Sequence, residues 1–317
     1  MKQTTLAIVL LTVGCSPSDK TAVVAVASAS CSTDWPKGDE KLAGGSFVVG
    51  AQPELNEEGP PREVEVAPFS IDRTEVTNAQ FAEFVEATGY VTIVERAPDP
   101  SLYPDVPAEQ LKPAALVFAG DDAVGLGNPT DWWRLVEGAN WRHPEGPASN
   151  LAGRERNPVV QVGHEDALAY ARWRGRDLPT EAEWEFAARA GLVDARFEWG
   201  NDAPNEAKPR ANVWQGIFPV NDAADDGYKA RTAPVGCFEP NGFGLYDMTG
   251  NVWEWTSDWF ADGRPAGDRL RQHLIKGGSF LCADNYCLRY RPAARQGGPP
   301  DTGSSHIGFR TVGRRDS

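Results

Sequence analysis

The stretch Gly277-Gly278-Ser279-Phe280-Leu281-Cys282-Ala283-Asp284-Asn285-Tyr286-Cys287-Leu288-Arg289-Tyr290-Arg291 places two cysteines five positions apart in a glycine-rich, aromatic and basic setting. The 317-residue chain has only five cysteines, so a pair this close carries information. A thiolate is a nucleophile, a redox centre and a soft metal ligand. Taken alone, Cys282 and Cys287 read as a short disulfide, a redox pair or a metal site. A structural zinc site needs two further ligands, and no second cysteine pair or His-x3-His stands nearby.

Outward from this block, 32 Gly and 25 Pro favour a loop-rich fold over a helical bundle. Eleven Trp either fill a core with little regular structure or line a groove. A net charge of −14 argues against nucleic acid as partner and for solubility or cation binding. No apolar segment is long enough to span a bilayer.

The N-terminus reads as an export signal: Lys2, an apolar run from Leu6 to Val13, then Gly14-Cys15. Leu11 to Cys15 resembles a bacterial lipoprotein cleavage box, with Thr12 where leucine is usual. The organisation expected is a signal peptide over 1–14, a lipid-anchored polar tether over 15–40 and a folded domain over 41–313. That puts the protein on the bacterial cell envelope, facing the periplasm or exterior and held to the membrane through lipid alone. Ordinary cleavage near Ala25-Val26-Ala27 is the alternative, further from the apolar run. With Cys15 lipidated, four thiols remain, and an even count in an oxidising compartment suggests pairing. Cys31 with Cys237 would staple the tether to the domain.

Phe47 to Gly50, the alternating Arg62 to Val66, and Phe69 to Asp72 read as strands of one sheet pattern. Thr77 caps a helix from Asn78 to Thr88, with Phe81, Phe84 and Val85 on one face and Gly89 as its stop. Residues 95–131 form a long loop rich in Pro, Gly and Asp. Val159 to Val162 reads as a short strand, and His164 to Arg174 as a helix burying Ala167, Tyr170 and Ala171. Thr180 and Glu183 form a capping box for a third helix, whose Glu181, Glu183 and Glu185 suggest capping and a solvated face. Through 197–260 periodicity is lost, and oxygen-bearing side chains recur beside glycines. That is the composition of loops around hard cations, and calcium takes six to eight oxygens. No EF-hand loop is present, and any single Asp-Gly here reads first as a turn.

Several blocks together resemble the formylglycine-generating enzymes, also called sulfatase-modifying factors. They are Gly44 to Phe47, Glu75 to Asn78, Trp132-Trp133, Gly138 to Pro147 (GANWRHPEGP), Leu178 to Phe186 (LPTEAEWEF), Asn212 to Val220 (NVWQGIFPV), Asn241 to Trp255, Gly277 to Arg291, and Gly308 to Arg310. The likeness covers nearly all of the exported domain. It implies an α+β, C-type-lectin-like fold, loop-rich with little regular secondary structure. It implies an oxidoreductase that converts a cysteine in a Cys-x-Pro-x-Arg motif of an unfolded sulfatase to Cα-formylglycine, using O2 and Cu(I). On that reading Cys282 and Cys287 ligate copper, Ser279 and Tyr286 line the pocket, and Trp253 sits beside it. Trp132, Trp133 and Trp141 would wall the peptide cleft, with His306 in the substrate pocket.

The resemblance also implies two Ca2+ sites. One is Asn212, the Val213 carbonyl, Asp226 and the Tyr228 carbonyl, with Glu75 nearby. The other is Asp247, the Gly250 and Val252 carbonyls, and Glu254. Ala171, Pro292 and Thr311 stand where vertebrate relatives have disulfide cysteines, and His306 stands where some have Asn. A monomer is expected. The rival reading is a non-catalytic, lectin-like binding module at the envelope, which has no reason to keep Cys282 and Cys287. An iron oxidase would want His-x3-His-x-Glu, which His143, His164, His273 and His306 do not supply.

Overall fold

Short strands either pair with near neighbours or close the two ends of the chain upon each other. The computed structural model describes residues 31, 35–119, 128–204, 208–261, 265, 267–268 and 271–314. The export signal, Cys15 and most of the tether lie outside these. In chain order the strands and helices are β1 (Asp39–Leu42), β2 (Gly45–Val49), β3 (Arg62–Val66), β4 (Phe69–Asp72), α1 (Asn78–Thr88), β5 (Ala114–Phe118), β6 (Trp133–Glu137), α2 (His164–Trp173) and α3 (Glu181–Arg189). Then come β7 (Gly216–Ile217), β8 (Asn221–Asp222), β9 (Trp253–Trp259), β10 (His273–Lys276), β11 (Gln296–Gly298), β12 (Ile307–Gly308) and β13 (Val312–Arg314). This is the loop-rich α+β architecture expected.

The helices form where their caps dictate. Thr77 Oγ1 accepts from the Gln80 amide while the Gln80 side chain accepts from the Thr77 amide, and Gly89 ends α1 at a φ of 67°. Thr180 and Glu183 make the same reciprocal box for α3. Phe81 and Phe84 of α1 meet Tyr170 of α2, Trp141, Phe309, Trp253 and Trp255 in the main core, whose rim includes both Cys282 and Cys287. Trp184 of α3 anchors a second core with Leu42, Ile71, Leu245 and Met248.

Three sequence expectations give way. β4 does not continue the β2–β3 hairpin; it lies between β1 and β13, joining the start and end of the domain. Val159 to Val162 is buried but joins no ladder, because Gln161 sits at a φ of 60° and donates to the Leu116 and Pro144 carbonyls. Glu181, Glu183 and Glu185 are not a solvated face. All three are buried: Glu183 caps, and Glu185 pairs with Arg189 and with Lys276 of β10. Within the long loop and the aperiodic region, β5 and β9 appear. β9 buries successive residues on both faces from Trp253 to Thr256, so no clean alternation marks it. Cys31 and Cys237 form a disulfide, tying the described start of the chain to the domain.

His273 is buried. Its ring stacks on His164 with centroids 3.4 Å apart and a 7° interplanar angle, and Trp259 covers it at 3.7 Å. His164 Nε2–H donates to the Thr256 carbonyl and His273 Nδ1–H to that of Asp258. Burial holds the pKa of His164 down to about 3 and that of His273 to about 4, and Arg271 and Arg172 oppose a charge further. Asp177 pulls the other way without prevailing. In the unfolded chain both titrate near 6.5. The unfolded state therefore binds more protons between those values, and stability falls as pH drops below about 6.5. Each ring is expected to cost about 2–3 kcal/mol at pH 4.5. Melting curves at pH 7.5 and 4.5 check this: a His164→Phe/His273→Phe variant should lose less on acidification than the parent, and an equal loss would refute the assignment.

Candidate functional site

The cysteine block begins where β10 ends. Gly277 and Gly278 both take positive φ, and at Gly278 a side chain would collide with the Tyr290 backbone 2.7 Å away. The chain then turns on itself. The Cys282 amide donates to Ser279, and those of Tyr286 and Cys287 both donate to Ala283. This double turn folds the two cysteines together, with sulfurs 2.7 Å apart. That exceeds the roughly 2.05 Å of a disulfide, so the pair is reduced. The block is fastened at both sides. The Trp214 amide donates to the Cys282 carbonyl, and the Phe280 amide to that of Asn251. Arg289 and Arg291 reach back to Glu57 and Glu58 in the turn after β2.

The two thiols differ. Cys287 accepts the hydrogen bond of the Cys282 thiol and faces the Arg289 main chain and guanidinium, which together draw its pKa below the usual value against burial. Burial pushes Cys282 well up, with Ser279 opposing weakly. Of the two, Cys287 is the more readily deprotonated. Two buried soft sulfurs fit a soft monovalent metal such as Cu(I).

Around the sulfurs stand Ser279 and Trp253, both buried. Tyr286 is 47% exposed and forms the outer wall. It stacks on Phe218 at 4.5 Å and meets the edge of Trp132 at 5.0 Å. Asn285 brackets Phe218 by bonding both its amide and its carbonyl. Trp133 packs on His306 at 4.7 Å, and Ser304 bonds His306 Nδ1 at 2.6 Å. Burial lowers the His306 pKa to about 3, so this ring is neutral. Trp132, Trp133, Tyr286 and His306 are thus gathered on the cysteine face. Trp141 is not: it packs edge-on to Phe81 of α1 at 5.2 Å and belongs to the core, because the irregular loop that carries it turns inward. Phe218 and Arg289 are site residues the sequence did not single out, although Phe218 lies in the quoted Asn212-to-Val220 block and Arg289 two positions after Cys287.

The oxygen-rich loops fit hard cations on an independent observation. Of the eight buried side-chain oxygens without a hydrogen-bond partner among the described residues, four belong to these candidate ligands: Asn212 Oδ1, Asp226 Oδ2, Asp247 Oδ1 and Glu75 Oε2. In each case the rest of the group is held. Asn212 spends both amide protons on Arg231 and Asn251, which fixes its oxygen. Asp226 Oδ1 accepts from Tyr228, Asp247 Oδ2 from Gly236, and Glu75 Oε1 from Asn251. Burial without a partner is costly for such atoms, and a cation removes the cost. Among the described residues no three His, Cys, Asp or Glu side chains converge tightly enough to hold an ion alone. Amide and main-chain oxygens must complete both sets.

Glu75 stands near the first set, as expected, through Asn251, and also faces Asp247 of the second. Asn251 bridges the sets by bonding Asn212, Ala233 and Glu75. Both oxygens of Glu254 already accept from Arg310 and Trp184. A carboxylate oxygen takes more than one partner, so Glu254 is still able to serve. Burial raises Asp226 to about 7 and Asp247 to about 6.

The family described as the sulfatase-modifying factor enzyme 1-like domain matches residues 36–315. A formylglycine-generating enzyme of Mycobacterium tuberculosis is 49% identical over 288 residues, covering 86% of this chain and 96% of that one. A mouse relative, inactive C-alpha-formylglycine-generating enzyme 2, is 42% identical over 275 residues, covering 85% and 83%. Among solved structures, PvdO from Pseudomonas aeruginosa superposes with a TM-score of 0.60 at 27% identity, covering 87% of this chain and 94% of that one.

Proposed function

The chain belongs to the sulfatase-modifying factor family, and from that premise we propose that it is an O2-dependent oxidoreductase converting a sulfatase cysteine to Cα-formylglycine. Relatives of similar identity carry both the active and the inactive name, so identity does not carry the proposal. The observation that does is the reduced, buried Cys282–Cys287 pair, 2.7 Å apart behind the half-exposed Tyr286. A pure binding module gains nothing from such a pair.

Cys282 and Cys287 would hold Cu(I), which when bound supplies a soft acceptor for the substrate sulfur and the means of activating O2. The rest is the work of the chain. Arg289 favours the charged form of Cys287. Tyr286 and Trp133, backed by the buried Phe218 and Trp132, form an apolar rim against which an extended peptide can lie, and neutral His306 offers a small polar contact beside Trp133. Holding the substrate Cβ at the sulfurs is where the barrier falls, by up to ~7–11 kcal/mol in favourable systems. The balance is fixed by chemistry. Exchange of C–S and one C–H for C=O takes two electrons from the carbon and frees the sulfur as hydrogen sulfide. One oxygen atom enters the product, and the other leaves as water with two electrons from an external thiol. The Ca2+ ions would be structural. The lipoprotein-like start suggests the enzyme works at the cell envelope, on sulfatase chains that are still unfolded.

Incubation of Cu(I)-loaded protein with a Cys-x-Pro-x-Arg peptide, a thiol and air should give the peptide aldehyde, read by mass and by hydrazide capture. Unchanged peptide across a panel of flanking residues would sink the proposal.

A further inference from the structure

Glu198 is a carboxylate that neither the core nor the cysteine chemistry explains. It lies between Phe197 and Trp199, whose rings stack at 5.1 Å, and is 4% exposed. Its Oε2 makes no well-formed hydrogen bond among the described residues, and the buried hydroxyl of Thr249 beside it is a weak partner at most. The groups that face it are Asp247, Glu254, Thr249 and Arg310. Glu75, Asp247, Glu254 and Glu198 thus set four buried carboxylates against one guanidinium, and Glu254 has already claimed that guanidinium. Glu75 and Asp247 would be neutralised by one divalent ion. Glu198 is the excess charge, and an isolated buried carboxylate is among the costliest groups a fold can carry.

We infer that Glu198 is an additional anionic partner of the second cation site, acting on the ion through a bridging water. This rests on reading the Asp247 set as a calcium site and adds to it a residue from a different part of the chain. A further anion in a hard-cation cage raises affinity, since ligand charge tunes calcium binding over decades. The same residue gives the site an entrance. Glu198 lines a cavity of about 460 Å³ together with Asp226 of the first set, Trp199, Lys208, Arg210 and Phe238. An ion entering there meets Glu198 before it reaches the inner carboxylates, and an entry path is one of the marks of a working metal site.

The test is calcium titration of EDTA-stripped protein by calorimetry, with Tb3+ luminescence excited through tryptophan. Trp184 Nε1–H bonds Glu254 at 2.8 Å and Trp214 follows Val213, so both sites give a sensitised signal, and an Asp226→Asn background that disables the first isolates the second. Glu198→Gln should weaken calcium there at least tenfold while the first site is unchanged. Glu198→Asp, which keeps the charge, should recover part of the loss. Unchanged second-site affinity in Glu198→Gln overturns the inference alone, as does equal loss in Glu198→Asp. A parent protein with no Trp-sensitised site overturns the underlying calcium reading as well. Melting of the stripped variants shows that each is folded, and stripped Glu198→Gln should be the more stable at pH 8, having one fewer buried acid.

Discussion

Cys287→Ser should abolish Cu(I) binding and turnover while leaving the fold intact. The serine hydroxyl is smaller, hard and undissociated at neutral pH, so it replaces a charged soft donor with a poor one. Loss of an outer partner of a metal ligand costs about 10–100-fold. Loss of one of only two ligands should cost more, about a thousandfold or greater in kcat/KM. The fold has little at stake here. The backbone bonds that shape the turn come from the Ala283 carbonyl and the Ser279 carbonyl, not from the sulfur. A buried change of this size away from such features typically costs about 1 kcal/mol. Copper binding is read by competition with a chromophoric Cu(I) chelator, turnover by peptide mass, and folding by melting. Tight copper binding by the variant would contradict the ligand assignment. A variant that melts far below the parent would mean the thiolate is structural. Cys282→Ala removes the proton donor as well as a ligand. It should therefore also raise the Cys287 pKa, seen as slower alkylation of Cys287 at neutral pH.

How much of this was legible in the sequence follows from how local each signal is. Caps are local: Thr77 with Gln80 and Thr180 with Glu183 name their helices within four residues, and both helices begin there. The cysteine pair is local too, and its turn needs only Gly277 to Cys287. Sheet membership is not. Phe69 to Asp72 reads as a strand, but its partners are at residues 39–42 and 312–314, and nothing in its own pattern points that far. Burial of charge is equally non-local. Glu185 looks solvated until Lys276, 91 positions on, is placed beside it. His273 looks exposed until His164 is stacked on it. Trp141 failed as a groove residue for the same reason, since aromatic residues in irregular loops serve cores and clefts alike and only the turn of the loop decides. The oxygen ligands were readable as a composition and as a resemblance. That the two sets adjoin was not, because Glu75 faces Asp247 across 172 positions, and Asn251 is what holds the two sets in register.

Removal of calcium should lower the melting temperature by about 10–20 °C at pH 8, and by much less at pH 5. The size follows from linkage: a ligand at a hundred times its Kd adds about 2.7 kcal/mol, and two sites add about 5. For a domain of this size each kcal/mol moves Tm by roughly 2–4 °C. The pH dependence follows from the acids left behind. In the cation-free protein Asp226 titrates near 7, Asp247 near 6 and Glu198 near 8, and Glu75 is also raised. All lie above their unfolded values of about 4. A raised folded pKa means the folded state binds more protons between the two values, so the stripped protein loses stability as pH rises through the folded pKa. At pH 5 most of these groups keep their protons, and the stripped fold survives. At pH 8 they must ionise against one another around the single Arg310. With calcium bound the order reverses, because the ion requires the charged forms and is itself displaced by acid. Melting curves with excess Ca2+ and with EDTA, taken at both pH values, should therefore diverge as pH rises. Curves that run parallel would show that these carboxylates do not hold calcium. Magnesium should restore little of the loss, since it demands octahedral geometry and gives up its water reluctantly, whereas these ligands lie on loops fixed from several directions.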